Sequence, residues 1–287
     1  MKDTPFHQAG NTADERTFVV RVLRQDGPGK DAYWERHRVA YGPDMNCISV
    51  LQAIAERATT VDGLKVAPVV WECNCLEEVC GACTMVINGR VRQACTALVD
   101  RLLAERPGEI ELRPMTKFPV LRDLMVDRRR IFAALEKVKA WVPVDSYHHM
   151  GSGQRQSQET QQMAYSYSKC MSCGCCLEAC PQFLKIELHR KQGETEEEFL
   201  AREREAIDRS FMGAHAVAQV ELFSSNPIGR MNASERLDVL TSPGGIQTCG
   251  NAQNCVKVCP KEIPLTTAIA RAGRSATLHA LRKWFDK

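Results

Sequence analysis

Alternating apolar and polar positions characterise the first part of the chain and predict β-strands. This alternation runs over Thr17–Arg24 and Tyr33–Tyr41, which are separated by a loop rich in Gly, Pro and Asp. Asp44 is placed to cap a helix over 45–58, and a further strand is predicted over Glu109–Arg113. The N-terminal part is therefore expected to be rich in β-structure.

Helical periodicity replaces this alternation after Phe118-Pro119. Asn232 and Glu235 are spaced as a capping pair at the start of one helix. Polar residues around a Gly-Ser-Gly segment predict a loop over 145–162, and residues 1–15 are expected to form a loosely ordered polar tail. The other predicted helices cover 120–140, 195–208, 213–223 and 264–287.

Composition narrows the class of protein. The chain has 287 residues, which fits one or two domains, and its 38 basic and 35 acidic side chains give a net charge of +3. This charge is too weak to predict nucleic-acid binding. No apolar run approaches the roughly 20 residues of a membrane span, and the N-terminus lacks the apolar core of a secretory signal. The unusual feature is the count of 14 cysteines, which in a reducing compartment predicts metal binding.

The first group of cysteines has the spacing of a plant-type [2Fe–2S] site. Gly81 and Ala82 allow backbone N–H groups to approach a cluster closely. Asn88-Gly89 predicts a type I′ hairpin that returns the chain to the cysteine loop. A zinc ribbon is the alternative, although ribbons pair two short cysteine knuckles and this group contains one. The predicted ligands are Cys75, Cys80, Cys83 and Cys95.

The second and third groups have the spacing of the two cysteine runs of bacterial ferredoxins. Cys170–Pro181 is a complete run, with intervals of two, two and three residues before a Cys-Pro pair. Cys249–Pro260 keeps this frame but has Ala252 where the second cysteine is expected. In such ferredoxins the fourth cysteine of each run ligates the cluster of the other run.

If the fourth cysteine of each run ligates the cluster of the other run, the two clusters are predicted to be of different types. A full set of four thiolates suits [4Fe–4S], with ligands Cys170, Cys173, Cys176 and Cys259. A cubane corner without a thiolate tends to lose its iron, so a [3Fe–4S] cluster is expected at Cys180, Cys249 and Cys255. A [4Fe–4S] cluster whose fourth iron binds water or another side chain is the alternative at this site.

Three cysteines lie outside these ligand sets. Cys47 falls within the predicted first helix and is expected in the core. Cys73 and Cys175 each lie beside a ligand but out of frame. Both are expected to pack near a cluster without binding it.

The expected fold class is α+β, with two cluster-binding domains after the tail at 1–15. Residues 16–119 are predicted to form a β-grasp domain of the plant-type ferredoxin kind. Residues 120–287 are predicted to form an all-helical domain of the bacterial ferredoxin kind. Three different clusters in one small chain favour an electron relay. The sequence has no nucleotide-binding motif, so electrons are expected to enter from one partner and leave to another.

The three cysteine motifs closely resemble those of the iron–sulfur subunit of succinate dehydrogenase and fumarate reductase (respiratory complex II). The resemblance covers residues 16–287 and is carried by the segments Trp71–Cys83, Cys170–Pro181 and Cys249–Pro264. It is greatest for the menaquinone-using bacterial form.

The resemblance implies that the chain is a subunit of succinate dehydrogenase (succinate:quinone oxidoreductase) and has no catalytic residue of its own. A flavoprotein subunit with covalent FAD would oxidise succinate near the first cysteine group. Electrons would pass through [2Fe–2S], [4Fe–4S] and [3Fe–4S] clusters to haem b and menaquinone in a membrane-anchor cytochrome b subunit with two haems. The chain would lie peripherally on the cytoplasmic side of the cytoplasmic membrane, with the third cluster nearest the anchor.

One departure from the family pattern concerns the quinone. Ubiquinone-type members place a Trp-Trp pair after the Cys-Pro and a His after the first cysteine of the third group. Here Gln182-Phe183 follows Pro181, and Gly250 follows that cysteine. Pro181 is retained as a quinone-proximal candidate, and so is His215, although a packed histidine is the favoured interpretation of His215.

Other charged residues are interpreted as ordinary surface. His148-His149 lies in the polar loop and is expected to be solvated. Arg128–Arg130 is expected to form an exposed helix face or to contact the flavoprotein.

Two other functions stay open. The chain could serve a fumarate reductase working in the reverse direction, or another flavin dehydrogenase such as a heterodisulfide-type reductase. It could also be a zinc-binding interaction module without redox activity. The direction of catalysis depends on cluster potentials, which the sequence does not give.

Overall fold

A computed structural model describes residues 16–143 and 154–285. The predicted tail at 1–15 and the pair His148-His149 lie outside these residues. The strands are β1 (Thr17–Arg24), β2 (Tyr33–Ala40), β3 (Thr84–Ile87), β4 (Arg90–Gln93), β5 (Glu109–Arg113), β6 (Val120–Arg122) and β7 (Met125–Val126). The helices are α1 (Cys47–Arg57), α2 (Val99–Glu105), α3 (Arg129–Lys137), α4 (Gln158–Ser168), α5 (Cys175–Glu178), α6 (Glu196–Arg209), α7 (Ala214–Ser225), α8 (Ala233–Thr241), α9 (Asn254–Lys257) and α10 (Leu265–Phe285).

A five-stranded mixed sheet forms the N-terminal region, in the order β2-β1-β5-β3-β4. Strand β1 pairs antiparallel with β2 and parallel with β5. The alternate residues Phe18, Val20 and Val22 of β1 are buried and share one core with Ile48 and Leu51 of α1. A helix packed across a mixed sheet is the predicted β-grasp arrangement, and with the helical C-terminal region it confirms the α+β class.

Helix α1 begins later than predicted, and its cap is a different residue. The side chain of Asn46 accepts hydrogen bonds from the backbone N–H groups of Ile48 and Ser49 at 2.9 and 3.0 Å. A capping residue needs extended backbone, which Asn46 has at φ −113° and ψ 175°. The prediction that Asp44 caps the helix was wrong, because Asp44 lies in the preceding turn at φ +59°.

The first third of the helix predicted over 120–140 is a β-hairpin, so this part of the prediction was wrong. Residues 120–126 form the antiparallel hairpin β6–β7, and α3 begins only at Arg129. The hairpin turns at Asp123, which has φ +47° and a fully buried side chain. The backbone N–H of Asp123 donates to the carbonyl oxygen of Gln25, and that of Leu124 donates to the carbonyl oxygen of Val70. The hairpin therefore packs on the β-grasp region. The division of the chain at residues 119 and 120 stays a prediction.

The helical region is built around α7. Helix α7 contacts α3, α4, α8 and α10. Helix α10 buries Ala268, Ala272 and Ala276, which recur every four residues and let it approach α7 closely. Helix α6 lies where a helix was predicted over 195–208, buries none of its residues and begins with a capping box between Thr195 and Glu198. Among the described residues, no helix combines the length and apolar character needed to cross a membrane.

Two local predictions in this region were wrong. Helix α4 begins at Gln158, with Ser157 as its cap, so the last part of the loop predicted over 145–162 is helical. Asn232 occupies the predicted N-cap position of α8, but the predicted capping hydrogen bond is absent, since its side-chain amide donates to Glu235 and a 3-10 helix over Gly229–Asn232 leads into α8.

A buried arginine joins the sheet to the β6–β7 hairpin. Arg24 occupies an inward position of β1 and is 1% exposed. Its guanidinium donates to both carboxylate oxygens of Asp123 at 3.0 Å and to Glu35 of β2 at 2.8 Å. It also donates to the carbonyl oxygens of Ala67 and Pro68. Three segments of the chain are thus held by one side chain.

Replacement of Arg24 by methionine is expected to destabilise the protein strongly. Arg24→Met leaves Asp123 and Glu35 buried without their counter-charge, which costs about 3–5 kcal/mol. Urea unfolding followed by circular dichroism measures the change as a lower midpoint. Arg92→Met is the matched control, since the Arg92–Glu105 pair is partly exposed and its loss is expected to cost less than about 1 kcal/mol. Equal effects of the two substitutions would contradict this role of Arg24.

Candidate metal centres

The first cysteine loop lies between α1 and β3 and turns its backbone towards one sulfur. The N–H groups of Val79 and Cys80 point at the sulfur of Cys75, with N–S distances of 3.2 and 3.3 Å. Leu76 and Glu78 both have positive φ, which coils the loop tightly. Hydrogen bonds from the loop backbone lower the pKa of the Cys75 thiol to about 7. The loop is therefore shaped to stabilise a thiolate.

The predicted hairpin brings the last two cysteines of this group together. Cys83 precedes β3 and Cys95 follows β4, and the N–H of Ala94 donates to the carbonyl oxygen of Cys83. Asn88 and Gly89 both have positive φ, as a type I′ turn requires. Both cysteines are buried, and burial raises the pKa of the Cys83 thiol to about 12. An isolated thiolate is therefore unfavourable here, whereas coordination by iron would stabilise it.

The second and third cysteine runs follow the same backbone course. Two residues after the first cysteine of each run, Ser172 and Asn251 both have φ +52°. Four residues after it, Gly174 and Gln253 again have positive φ, and each caps a single helical turn, α5 or α9. The two runs therefore have the same backbone conformation at equivalent positions, as the shared cysteine spacing predicted. Ala252 occupies the position equivalent to that of Cys173.

Two cavities lie at these runs, and each is lined by cysteines from both runs. One cavity, called the four-cysteine cavity after its predicted ligands, is lined by Cys170, Cys173, Cys176 and Cys259, and the out-of-frame Cys175 also lines it. The other is lined by Cys180, Cys249 and Cys255, together with Ala252 and Pro181. The structure thus brings together, in each cavity, the cysteines that were predicted to share a cluster. Sulfur-lined cavities on inward-turned loops fit clusters whose irons prefer thiolate ligands.

Within 16–143 and 154–285, no group of three or more His, Cys, Asp or Glu side chains converges on a point that would suit a single metal ion. Each iron atom of an iron–sulfur cluster binds at most two of the cysteines, so their sulfurs surround the cluster and no three of them converge on one ion.

The three remaining cysteines differ in their surroundings. Cys47 is fully buried in the core of the β-grasp region, as predicted, and burial raises the pKa of its thiol to about 12. Cys175 is also buried, and its sulfur accepts a hydrogen bond from the side-chain amide of Gln93 at 3.4 Å. Cys73 is exposed.

Two of the three consecutive arginines are not surface residues. Arg128 donates to the carbonyl oxygens of Gly81 and Ala82 in the first cysteine loop. Arg130 is 8% exposed, donates to Leu184 and lies 3.6 Å from the ring centroid of Phe183. The expectation of an exposed helix face was therefore wrong for both residues. No local pattern distinguishes them, because their partners lie 47 and 54 positions away.

The arginine between them has the predicted exposure. The side chain of Arg129 is 74% exposed and pairs with Asp127.

His215 is buried at the base of the first cavity. Its Nε2 lies 3.2 Å from the carbonyl oxygen of Ile131, and its Nδ1 has no hydrogen-bond partner. Burial lowers its pKa to about 4, so the ring is neutral at pH 7 and Nε2 donates its hydrogen to the carbonyl. The packed histidine favoured by the sequence is what the structure contains.

The first cysteine loop touches the second directly. A Cβ atom added at Gly81 would lie 2.8 Å from both Cα and Cβ of Cys173. The two regions are further joined by Glu178 of α5, whose carboxylate accepts hydrogen bonds from the backbone N–H groups of Thr116 and Lys117. The first two cysteine sites are therefore adjacent through backbone contact.

Comparisons with known proteins agree with this geometry. Residues 19–133 match the 2Fe-2S iron-sulfur cluster binding domain family, and residues 166–263 match the 4Fe-4S dicluster domain family. The succinate dehydrogenase iron-sulfur subunit of Bacillus subtilis (strain 168) is 46% identical over 273 residues, which cover 95% of this chain and 98% of the relative.

More distant relatives include iron–sulfur subunits of fumarate reductase. The fumarate reductase iron-sulfur subunit of Mycobacterium tuberculosis is 30% identical over 73% of this chain and 75% of the relative. A chain of the Mycobacterium smegmatis Sdh1 complex in the apo form shares the fold with a TM-score of 0.67, at 20% identity, over 94% of this chain and 98% of that chain.

The fold and the two domain matches define an iron–sulfur protein with a [2Fe–2S] domain followed by a dicluster domain. The chain belongs to the family of succinate dehydrogenase and fumarate reductase iron–sulfur subunits. The resemblance stated from the motifs is thereby confirmed, and an electron-transfer role as part of an oxidoreductase complex follows from the family.

A side chain at Gly81 is expected to force the first two cysteine loops apart. Gly81→Ala places a methyl group against the backbone of Cys173, in addition to the backbone strain at φ +73°. The expected result is loss of bound iron and a lower melting temperature. Gly108→Ala is the matched control, because Gly108 has φ +79° and open space around it. Iron analysis and thermal denaturation of both variants test this prediction. Similar losses of iron and of thermal stability in both variants would contradict the close contact between Gly81 and Cys173.

Proposed function

We propose that this chain relays electrons between a flavoprotein subunit and a membrane-anchor subunit of a succinate:quinone oxidoreductase. The observation that carries this proposal is that the three cysteine sets follow one another in contact. Gly81 of the first loop meets Cys173 of the second, and α5 contacts α9 between the second and third sets. When bound, iron–sulfur clusters supply one-electron steps.

The ligands proposed for the three clusters are the cysteines predicted from spacing. The four cysteines of the first group would hold [2Fe–2S], with backbone N–H groups directed at Cys75. The four-cysteine cavity would hold [4Fe–4S] through Cys170, Cys173, Cys176 and Cys259. The three-cysteine cavity would hold [3Fe–4S] through Cys180, Cys249 and Cys255, because Ala252 offers no thiolate to a fourth iron.

The flavoprotein partner is proposed to cover the first cysteine loop. Leu76 and Val79 lie in this loop and are 51% and 56% exposed. Exposed apolar residues beside a redox site suit contact with another protein, since burial would bring the two cofactors together without water between them. The proposed partner carries covalent FAD, which oxidises succinate.

The membrane anchor is proposed to lie at the opposite end of the relay, beside the three-cysteine cavity. Pro181 and Gln182 line this cavity, and Pro181 is the residue proposed to lie near menaquinone. The anchor would be a cytochrome b subunit with two haems, and it would hold this chain on the cytoplasmic side of the membrane. The similarity to the Bacillus subtilis subunit over 95% of the chain supports membership of a succinate dehydrogenase complex, in which such an anchor would lie.

Fumarate reduction is the second candidate direction, supported by 30% identity to a subunit with that name. Purification of the whole complex with its neighbouring subunits tests both directions. Succinate:menaquinone-analogue reductase activity exceeding the fumarate reductase activity would support the proposal. A colourless, zinc-containing preparation without either activity would refute it.

Substitution of Ala252 by cysteine is expected to change the type of the third cluster. Ala252→Cys places a thiol at the position equivalent to Cys173, so a fourth iron can be retained. The electron paramagnetic resonance (EPR) signal of an oxidised three-iron cluster, expected in the native complex, should be lost. Lys257→Cys is the control, because it adds an exposed, out-of-frame thiol on the helical backbone of α9 and should leave the signal intact. A persistent three-iron signal in Ala252→Cys would contradict the proposed ligand frame.

Neighbouring cysteines of α5 are expected to respond differently to substitution. Cys176→Ser should abolish the [4Fe–4S] signal of the complex, because Cys176 lines the four-cysteine cavity in frame. Cys175→Ser should retain all three signals, because Cys175 lines the same cavity out of frame and its sulfur accepts a hydrogen bond from Gln93. EPR of the reduced complexes and iron analysis measure both effects. Loss of a cluster from Cys175→Ser alone would show that the ligand has been assigned to the wrong residue.

A further inference from the structure

The guanidinium of Arg128 reaches the two peptide units between Cys80 and Cys83. Its Nη1 donates to the carbonyl oxygen of Gly81 at 2.5 Å, and its Nη2 donates to the carbonyl oxygen of Ala82. These are consecutive carbonyls of the first cysteine loop. A planar fork with two donors can hold both groups at once, whereas a lysine ammonium cannot reproduce this geometry.

The same loop segment is in contact with the second cysteine loop. Gly81 has no side chain, and its Cα faces Cys173 so closely that an added Cβ would lie 2.8 Å from the Cα of Cys173. Arg128 therefore holds the stretch of backbone that separates the first two proposed clusters. Movement of this stretch would change the distance between them.

Arg128 is itself fixed to the helical region. It immediately precedes α3, whose residue Ile131 packs near Gly174 in the second cysteine loop. The carbonyl oxygen of Ile131 accepts a hydrogen bond from His215 of α7. Arg130 anchors the same helix by donating to Leu184. One short helix thus connects the second cysteine loop to the residue that holds the first.

The charge of Arg128 is largely shielded from water. Its side chain is 15% exposed, and its nearest carboxylate, Glu72, lies 3.5 Å away and is 40% exposed. The carboxylate is more accessible to solvent, so its charge is screened more strongly than that of the guanidinium. The guanidinium therefore contributes a positive charge to the first loop, whose own charged residues are the carboxylates Glu77 and Glu78. Positive charge and hydrogen bonding near an iron–sulfur cluster favour its reduced form.

We propose that Arg128 is a positioning residue for electron transfer between the first two clusters. It clamps Gly81 and Ala82 against Cys173, and its charge raises the reduction potential of the [2Fe–2S] site. This inference rests on the proposed function, since it requires both clusters to be bound. The clamp and the charge are two separable contributions of one side chain.

Two substitutions separate these contributions in the purified complex. Arg128→Met removes both, so the [2Fe–2S] potential should fall by at least about 59 mV, which is a tenfold change in the one-electron equilibrium constant. The magnetic interaction between the reduced [2Fe–2S] and [4Fe–4S] clusters should also weaken. Arg128→Lys keeps the charge but loses the fork, so the interaction should weaken while the potential changes less. Redox titration monitored by EPR measures both quantities.

Arg129→Met is the matched control, because Arg129 is the adjacent arginine and is 74% exposed. It should leave both the potential and the magnetic interaction unchanged. If Arg128→Met is unable to bind the [2Fe–2S] cluster, Arg128→Lys provides the test. A wild-type reduction potential together with a wild-type magnetic interaction in Arg128→Lys would overturn the inference. If the wild-type complex shows the expected EPR spectrum but the Arg128 variants cannot be distinguished from Arg129→Met, this inference is overturned and the proposed function is not affected. Absence of the [2Fe–2S] signal from the wild-type complex would overturn the proposed function as well.

Discussion

The structure depends on cysteine loops whose backbone turns inwards at each of the three proposed cluster sites. Sulfurs can surround a cluster only if the short segments between cysteines curl inwards and present their N–H groups to the site. Leu76, Ser172 and Asn251 all adopt positive φ for this reason, although such a conformation is unfavourable for residues with a side chain. It persists only where the surroundings hold it. The β-grasp sheet and the packed helices supply these surroundings, so both folded regions act as frames for strained loops.

Much of the candidate site could be predicted because ligand spacing is a local property. The left-handed residues of the second and third runs occur at equivalent positions, which is why counting residues between cysteines identified Ala252 as an in-frame replacement. The hairpin turn at Asn88-Gly89 is equally local, and it brings Cys83 and Cys95 together. In each case the residues that decide the conformation lie within a few positions of one another.

The features that the sequence did not reveal depend on distant partners. Asp123 forms the turn of a hairpin where helical periodicity suggested a helix, because its carboxylate accepts hydrogen bonds from Arg24, 99 positions away. Arg128 and Arg130 look like surface residues in a basic run, but their partners are carbonyl oxygens elsewhere in the chain. Carbonyl acceptors carry no sequence signal, since every residue has one. An arginine that binds them therefore cannot be distinguished from a solvated one by its neighbours.

The matching backbone of the two ferredoxin-like runs has an evolutionary consequence. The loop around Ala252 keeps its left-handed residues and its helical turn although one sulfur is missing. The shape of this loop therefore does not depend on a sulfur at position 252. On the proposed ligand frame, a change in one codon is enough to alter the number of iron atoms in the last centre. Such a change would adapt the end of the relay to another acceptor without requiring a new loop.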